Sequence, residues 1–331
     1  MIETLSIERF KSVQSLAIRC ARVNVFIGPP DTGKTNLLEA LYLGSRLGWA
    51  LPLDNSLRLR AELGFDQLFH RQFFDQPIRI FLRPSVDIEI AIAGGQNRML
   101  SVKAAVPRVG SWENSSMSFG TPFPVPAIDW LRFYSYIGSE HWQYSSGFHR
   151  GTDAVTPPYG QNLLYIARHN HKVYEFLKED IVPPNWKLRF DQVQKTFRFL
   201  EIRQDEVLDY NLDLLSDSLK RYFFYATIIL TSERTTLVFD EPDVYAFPPY
   251  PKRLGEMIAA DKLNQYFLTT HNPYFLAALA EKTPIEELAI FVCARDDEGG
   301  TTATHLNATQ VSQIIEQGAS VFFNLGAFLP S

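Results

Sequence analysis

Cysteine is scarce: Cys20 and Cys293 are the only two in 331 residues. Two thiols can neither frame a disulfide scaffold nor complete a zinc site, so stability has to come from a packed core. Long apolar runs are missing as well. The longest, around 222–230, falls well short of the roughly 18–20 residues that cross a bilayer, so no membrane contact is expected. No basic stretch leads into an apolar one near residue 1, hence no signal peptide is expected and a cytoplasmic setting is. Positive charge is not in excess. With 32 Lys and Arg against 37 Asp and Glu, the formal charge is −5, which excludes a uniformly basic surface for nucleic acid but not a local groove. Internal repeats and coiled-coil heptads are also lacking.

What is abundant is apolar material. The sequence is 46% hydrophobic with 25 Phe and 14 Tyr, enough for a large core in one domain or two. Short strands are predicted over 2–10, 16–18 and 23–27, and the last ends at Gly28-Pro29-Pro30, a strong breaker. From Lys34 the period changes, and Leu37, Leu38, Leu41, Tyr42 and Ser45 would share one helical face. Residues 78–106 alternate like an antiparallel sheet with one wetter face. Residues 107–160, rich in Pro, Gly, Ser and aromatics with one strand near 128–136, read as an irregular insert. A helix is predicted over 161–179, an extended stretch over 188–202 and a buried helix over 216–231. Beyond 232, strands at 235–240, 265–270 and 288–294 alternate with helices at 252–259, 273–280 and 309–317, the order of a parallel sheet.

The strongest motif is Gly28-Pro29-Pro30-Asp31-Thr32-Gly33-Lys34-Thr35, a complete G-x-x-x-x-G-K-[ST] between a strand and a helix. A chance match in a chain of this length is on the order of one in a hundred. Successive amides there can curl around a polyphosphate, and the helix N-terminus adds positive potential. Lys34 would reach the β- and γ-phosphates, and the Thr35 hydroxyl would take a place on Mg²⁺. The ATP-binding set thus runs from Gly28 through Pro29, Pro30, Asp31, Thr32, Gly33, Lys34 and Thr35 to Asn36. Asp31 is expected to point outward, since Asp tolerates left-handed backbone angles.

Two further strands end in polar groups. Residues 235–239 lead to Asp240-Glu241-Pro242, where Asp240 can hold Mg²⁺ and Glu241 can orient and deprotonate an attacking water. A solvated strand-end turn is the plainer alternative for these acids taken alone. Residues 265–270 lead to His271-Asn272-Pro273, where His271 could donate a ring N–H to a γ-phosphate, although a lone His is commonly structural. In an open α/β sheet such strand ends are where ligands bind.

Together, the loop, Asp240-Glu241-Pro242 and Thr269-Thr270-His271-Asn272-Pro273 resemble the ABC-type ATPase heads of the RecF/SMC/OLD-like group, above all its stand-alone, AAA-type SMC-like ATP-binding proteins. The opening Leu5-Ser6-Ile7-Glu8-Arg9-Phe10-Lys11-Ser12 matches that group's first strand and turn. The resemblance covers most of the chain and is weakest over 107–160. It implies a P-loop NTPase of α/β class: one ABC-like head over 1–331, with a mixed or antiparallel N-terminal lobe (1–106), the insert, a helical signature region (161–231) and a C-terminal lobe (232–331). It implies slow ATP hydrolysis with Lys34, Glu241 and His271 as catalytic residues, Mg²⁺ on Thr35 and Asp240, an ATP-dependent homodimer and a protein partner. The family signature maps to 214–221, with Ser216 acting in trans on the opposite subunit's ATP; an ordinary helix cap is the alternative. Ser218 stands where the family has glycine and Asp217 adds an anion, departures that favour a nucleotide-gated regulator as the second reading. A Mg²⁺-sensing glutamine is unassigned among Gln67, Gln72 and Gln143. DNA enters only through the resemblance, because the basic residues of 187–203 are accounted for by a solvated sheet face. Asp296-Asp297-Glu298-Gly299-Gly300 reads as a hairpin turn, and no intrinsic nuclease is expected.

Overall fold

A computed structural model describes residues 1–49, 68–73, 75–93, 99–106, 110–117, 130–144, 153–204 and 206–329. The chain opens with the hairpin β1 (Thr4–Phe10) and β2 (Val13–Arg19), then β3 (Val23–Ile27) and, after the Gly-rich loop, α1 (Lys34–Trp49). β4 (Ile78–Arg83), β5 (Val86–Ala93), β6 (Met99–Val106) and β7 (Gly110–Met117) follow, then the short β8 (Leu131–Tyr134). α2 (Leu163–His169), α3 (His171–Phe176) and a π-helical turn (Leu177–Ile181) lead to β9 (Trp186–Asp191), β10 (Thr196–Arg203) and β11 (Glu206–Asn211). The remainder alternates: α4 (Asp217–Thr231), β12 (Thr236–Phe239), α5 (Pro249–Ala260), β13 (Gln265–Thr269), α6 (Pro273–Lys282), β14 (Leu288–Arg295), β15 (Thr301–His305) and α7 (Ala308–Gln317).

These strands form an antiparallel sheet in the order β2-β1-β4-β5-β6-β7, a meander β11-β10-β9, and a sheet β15-β14-β3-β13-β12-β8 that is parallel except at β15. Strands in the middle of a parallel sheet are covered on both faces and should be apolar throughout; every residue of β3, β12 and β13 is buried. Alternate side chains then feed two cores. Phe26, Val238, Phe267 and Phe291 meet Leu37 and Leu41 of α1 and Ile80 and Leu82 of the antiparallel sheet. Val25, Leu237, Leu268 and Ile290 meet Phe223 and Phe224 of α4, Ile258 of α5 and Leu279 of α6. The helix α1 is therefore packed between the two large sheets, which is why its apolar face is wide. Truncating one such Phe should cost about 3–5 kcal/mol.

The segment 107–160 is not peripheral, as an insert would be. β7 extends the antiparallel sheet, and β8 pairs with β12 as the edge strand of the parallel sheet, with Tyr134, Trp142 and Val155 in the core. Its remaining residues, 107–109, 118–129 and 145–152, lie outside the described residues. The meander turns Phe197 and Phe199 inward, while on its other face Arg189 and Arg198 both bond Asp209 at 3.1 and 2.7 Å; at the end of β10, on the Phe199 side, Arg203 bonds Glu201 at 2.7 Å. That is an internally neutralised surface, as expected of a solvated sheet face. No helix among the described residues is long and apolar enough to cross a membrane.

Candidate functional site

The Gly-rich loop leaves the C-terminal end of β3, Asp240 follows β12, and His271 follows β13. Because these strands are adjacent and parallel, their C-terminal ends emerge on one edge, and one cleft of about 620 Å³ collects Pro30, Gly33, Lys34, Thr35, Glu241 and His271. The loop is held by its surroundings. Gly28 has φ 152° and Gly33 φ 88°; a Cβ on Gly28 would come closer than 3.0 Å to the Cys293 carbonyl oxygen, and one on Gly33 equally close to the hydroxyls of Thr301 and Ser12. Thr32 Oγ1 donates to the Pro29 carbonyl at 2.9 Å, and Lys34 Nζ donates to the Gly28 and Pro29 carbonyls at 3.0 and 2.7 Å. Asp31 is exposed at φ 60° and lines the cleft, and its backbone carbonyl accepts a 2.7 Å bond from Arg295 Nε.

Opposite the loop, two threonine-based links tie the strand ends together. Thr269 Oγ1 donates to Asp240 Oδ1 at 2.5 Å while accepting the Glu241 amide at 2.9 Å, and Thr35 Oγ1 approaches Asp240 Oδ1 at 3.4 Å. Glu241 is held at φ 46°, a left-handed conformation that costs a non-glycine residue on the order of 1–3 kcal/mol. Its carboxylate Oε1 lies 3.5 Å from His271 Nε2. Burial and the nearby Lys34 charge lower the His271 pKa, with Glu241 opposing, so the imidazole is neutral at pH 7 and one ring N–H is available to donate. Lys34 is pulled below its ordinary value chiefly by burial, while Cys293, Glu241, Asp240 and Asp31 act to keep it charged.

Not every expected residue joins this group. Asn36 does line the cleft, with its side-chain amide donating to Ser12 Oγ at 2.6 Å, and Ser12 and Thr301 share a 2.6 Å hydroxyl–hydroxyl bond. Ser216 is exposed and outside the cleft of its own chain; it caps α4 by accepting the Leu219 amide at 3.3 Å. The Asp217 carboxylate accepts a 2.9 Å bond from the Tyr136 hydroxyl and an ion pair from Lys220 at 3.4 Å, and Ser218 Oγ accepts the Phe247 amide at 2.6 Å. Gln72 and Gln143 are exposed and do not line the cleft, and Gln67 lies outside the described residues. The cleft also contains Lys11, Glu39 and Arg295, none of them anticipated as site residues. Lys11 and Glu39 form a 2.5 Å ion pair with only 14% and 5% of their side chains exposed. Of these, Lys11 carried the only prior signal, its place in the opening turn.

The donor set suits a magnesium–nucleotide complex. A hydroxyl and a carboxylate, Thr35 and Asp240, are the oxygen ligands Mg²⁺ accepts beside water and phosphate. Among the described residues no cluster of three or more His, Cys, Asp or Glu could hold a metal without such help.

No protein-family model matches the sequence, and neither does any curated protein. Solved structures do. A crystal structure of an SMC head bound to the C-terminal winged-helix domain of ScpA superposes with a TM-score of 0.53 at 14% identity, over 93% of this chain and 99% of that one. This chain has the fold of an SMC head, an ABC-ATPase-like P-loop fold. The SMC head domain from Thermotoga maritima also aligns, at 14% identity and a TM-score of 0.44, over 93% of this chain and 99% of that one. In the head fold of this chain, the phosphate loop, the acidic strand end and the histidine turn occupy neighbouring strand ends of the parallel sheet.

Proposed function

We propose that this chain is a magnesium-dependent ATPase head of the RecF/SMC/OLD-like group, acting in the cytoplasm, that closes as a homodimer on ATP, hydrolyses it slowly and passes the change to a protein partner. DNA maintenance or defence is the setting in which such a head would work. The observation that carries this reading is the meeting of Lys34, Thr35, Glu241 and His271 in one cleft, with Asp240 Oδ1 3.4 Å from the Thr35 hydroxyl.

In this reading the loop amides and Lys34 hold the β- and γ-phosphates of ATP, and His271 donates its N–H to a γ-oxygen. Glu241, whose backbone N–H donates a hydrogen bond to Thr269 Oγ1, accepts a proton from the water attacking the γ-phosphorus, and the ADP oxygen leaves on the opposite side. Magnesium bound by Thr35 and Asp240 would neutralise charge on the phosphate oxygens. Ser216 would meet the γ-phosphate held by the second subunit, and the capped end of α4 supplies the amides for that. The neighbouring fold's winged-helix complex supports a protein partner over DNA, since the arginines of the meander are already paired with acids. No nuclease activity is included.

The test is the molar mass of Glu241→Gln with and without ATP and Mg²⁺, measured by light scattering on a sizing column. Doubling only with both present is expected; an unchanged mass refutes the dimer mechanism. A second reading, a nucleotide-gated regulator with little turnover, draws on the engaged side chains of Asp217 and Ser218, which leave the signature turn tied to its own subunit. Wild-type turnover equal to that of Lys34→Ala, with ATP binding retained, would select it.

A further inference from the structure

Asp243 is the buried acid that the hydrolytic scheme leaves unused. It lies two residues beyond Glu241, is 4% exposed, and places Oδ2 2.8 Å from the hydroxyl of Thr270, which is itself fully buried. The other carboxyl oxygen, Oδ1, is buried with no hydrogen-bond partner among the described residues. Burying a carboxyl group with half its hydrogen-bonding capacity unmet is costly, and an apolar side chain would fill the same space at less cost. Its retention calls for a reason other than packing.

The connections supply one. Thr270 donates to Asp243 and accepts the Asn272 amide at 2.9 Å, so the groups on both sides of His271 belong to one hydrogen-bonded chain. Asn272 in turn caps α6 by accepting the amides of Tyr274 and Phe275 at 2.9 and 3.3 Å. On the other strand, the turn carrying Asp243 is closed by the Val244 amide on the Glu241 carbonyl at 3.3 Å. Successive residues of an extended chain point to opposite sides. Thr269 and Thr270 use that property, one hydroxyl reaching Asp240 and the next reaching Asp243.

We infer that Asp243 is a positioning residue: through Thr270 it locks the His271 turn to the turn that bears Glu241, setting the spacing between the two. This rests on the ATPase reading above for its consequence in turnover, though not for the lock itself. Burial pushes the Asp243 carboxyl up to about 7, with Thr270 pulling it down and Glu241 adding to the rise, so the lock can be held by the neutral acid. An amide of the same shape can then accept the same Thr270 bond.

The experiment compares Asp243→Ala, Asp243→Asn and Thr270→Val in the full chain. Two readouts are taken: kcat and KM for ATP, and the His271 ring carbon–proton NMR signal, assigned by its loss in His271→Gln. Asp243→Ala is expected to lower kcat at least tenfold with KM within about threefold, because small displacements at a reacting centre cost rate more than binding. It should also move the His271 signal. Asp243→Asn should restore most of the rate and return the signal towards its original place. Thr270→Val should reproduce the alanine result, and decides the matter if Asp243→Ala does not fold. A folded Asp243→Ala with unaltered kcat and an unmoved His271 signal overturns the lock, as does a failure of asparagine to restore either readout. If the wild type hydrolyses no ATP, the ATPase reading fails separately, and the NMR comparison alone then decides the lock.

Discussion

Replacing Gly28 by alanine tests whether the phosphate loop is shaped by its contact with the strand beneath it. The added Cβ would fall closer than 3.0 Å to the Cys293 carbonyl oxygen, a backbone atom of the fully buried part of β14 that has no freedom to withdraw. Two costs combine. Alanine at φ 152° is strained by about 1–3 kcal/mol. Forcing a methyl group into a filled space adds about 1–3 kcal/mol. A total of about 2–6 kcal/mol is a large share of the roughly 5–15 kcal/mol typical of a domain. Gly299 provides the control, since it has φ 80° and nothing within 4 Å of an added Cβ; Gly299→Ala should lose only about 1–2 kcal/mol, from the backbone alone. Urea unfolding followed by tryptophan fluorescence, without nucleotide, measures both. Equal losses for the two variants would refute the argument, and so would a Gly28→Ala protein that binds ATP as tightly as the wild type.

Two further outcomes are expected. Lys11→Met removes the 2.5 Å ion pair to the buried Glu39, and should lower stability by about 3 kcal/mol at pH 7; denaturant midpoints check it. Asp243 gives a dependence on pH. Its folded pKa of about 7 lies above the ordinary 3.8, so the folded state binds the extra proton, and stability present below about pH 4 is lost as pH rises through 7. The slope, up to about 1.4 kcal/mol per pH unit, should flatten in Asp243→Asn; an unchanged slope would place the titration elsewhere.

Much of the fold was legible because its key residues sit in short linear runs. Gly28 to Thr35, Asp240-Glu241 and His271 each close an apolar strand, and the alternation after residue 232 identifies those strands as parallel. The alternation leaves the order β14-β3-β13-β12 open; once the strands stand in that order, the convergence of the three runs follows from the sheet. Lys11, Glu39 and Arg295 were not legible as cleft residues, because they come from three separate elements that meet only once the antiparallel sheet folds over α1. The strand near residue 131 was visible, whereas its place beside β12 was not, since a four-residue strand carries no pairing preference in its pattern. Asp243 was not legible as a buried acid. Nothing in an Asp-Val-Tyr run indicates that the acid turns inward.

The central strand of the parallel sheet has a consequence for how the molecule is made. β3 is a largely apolar segment whose hydrogen-bonding neighbours, β13 and β14, are synthesised more than 230 residues later. Until they emerge from the ribosome, Val23 to Ile27 has an open edge on each side. A nascent chain stalled before residue 265 would carry that sticky ribbon unpaired, and so would need shielding by chaperones until its last fifth arrives.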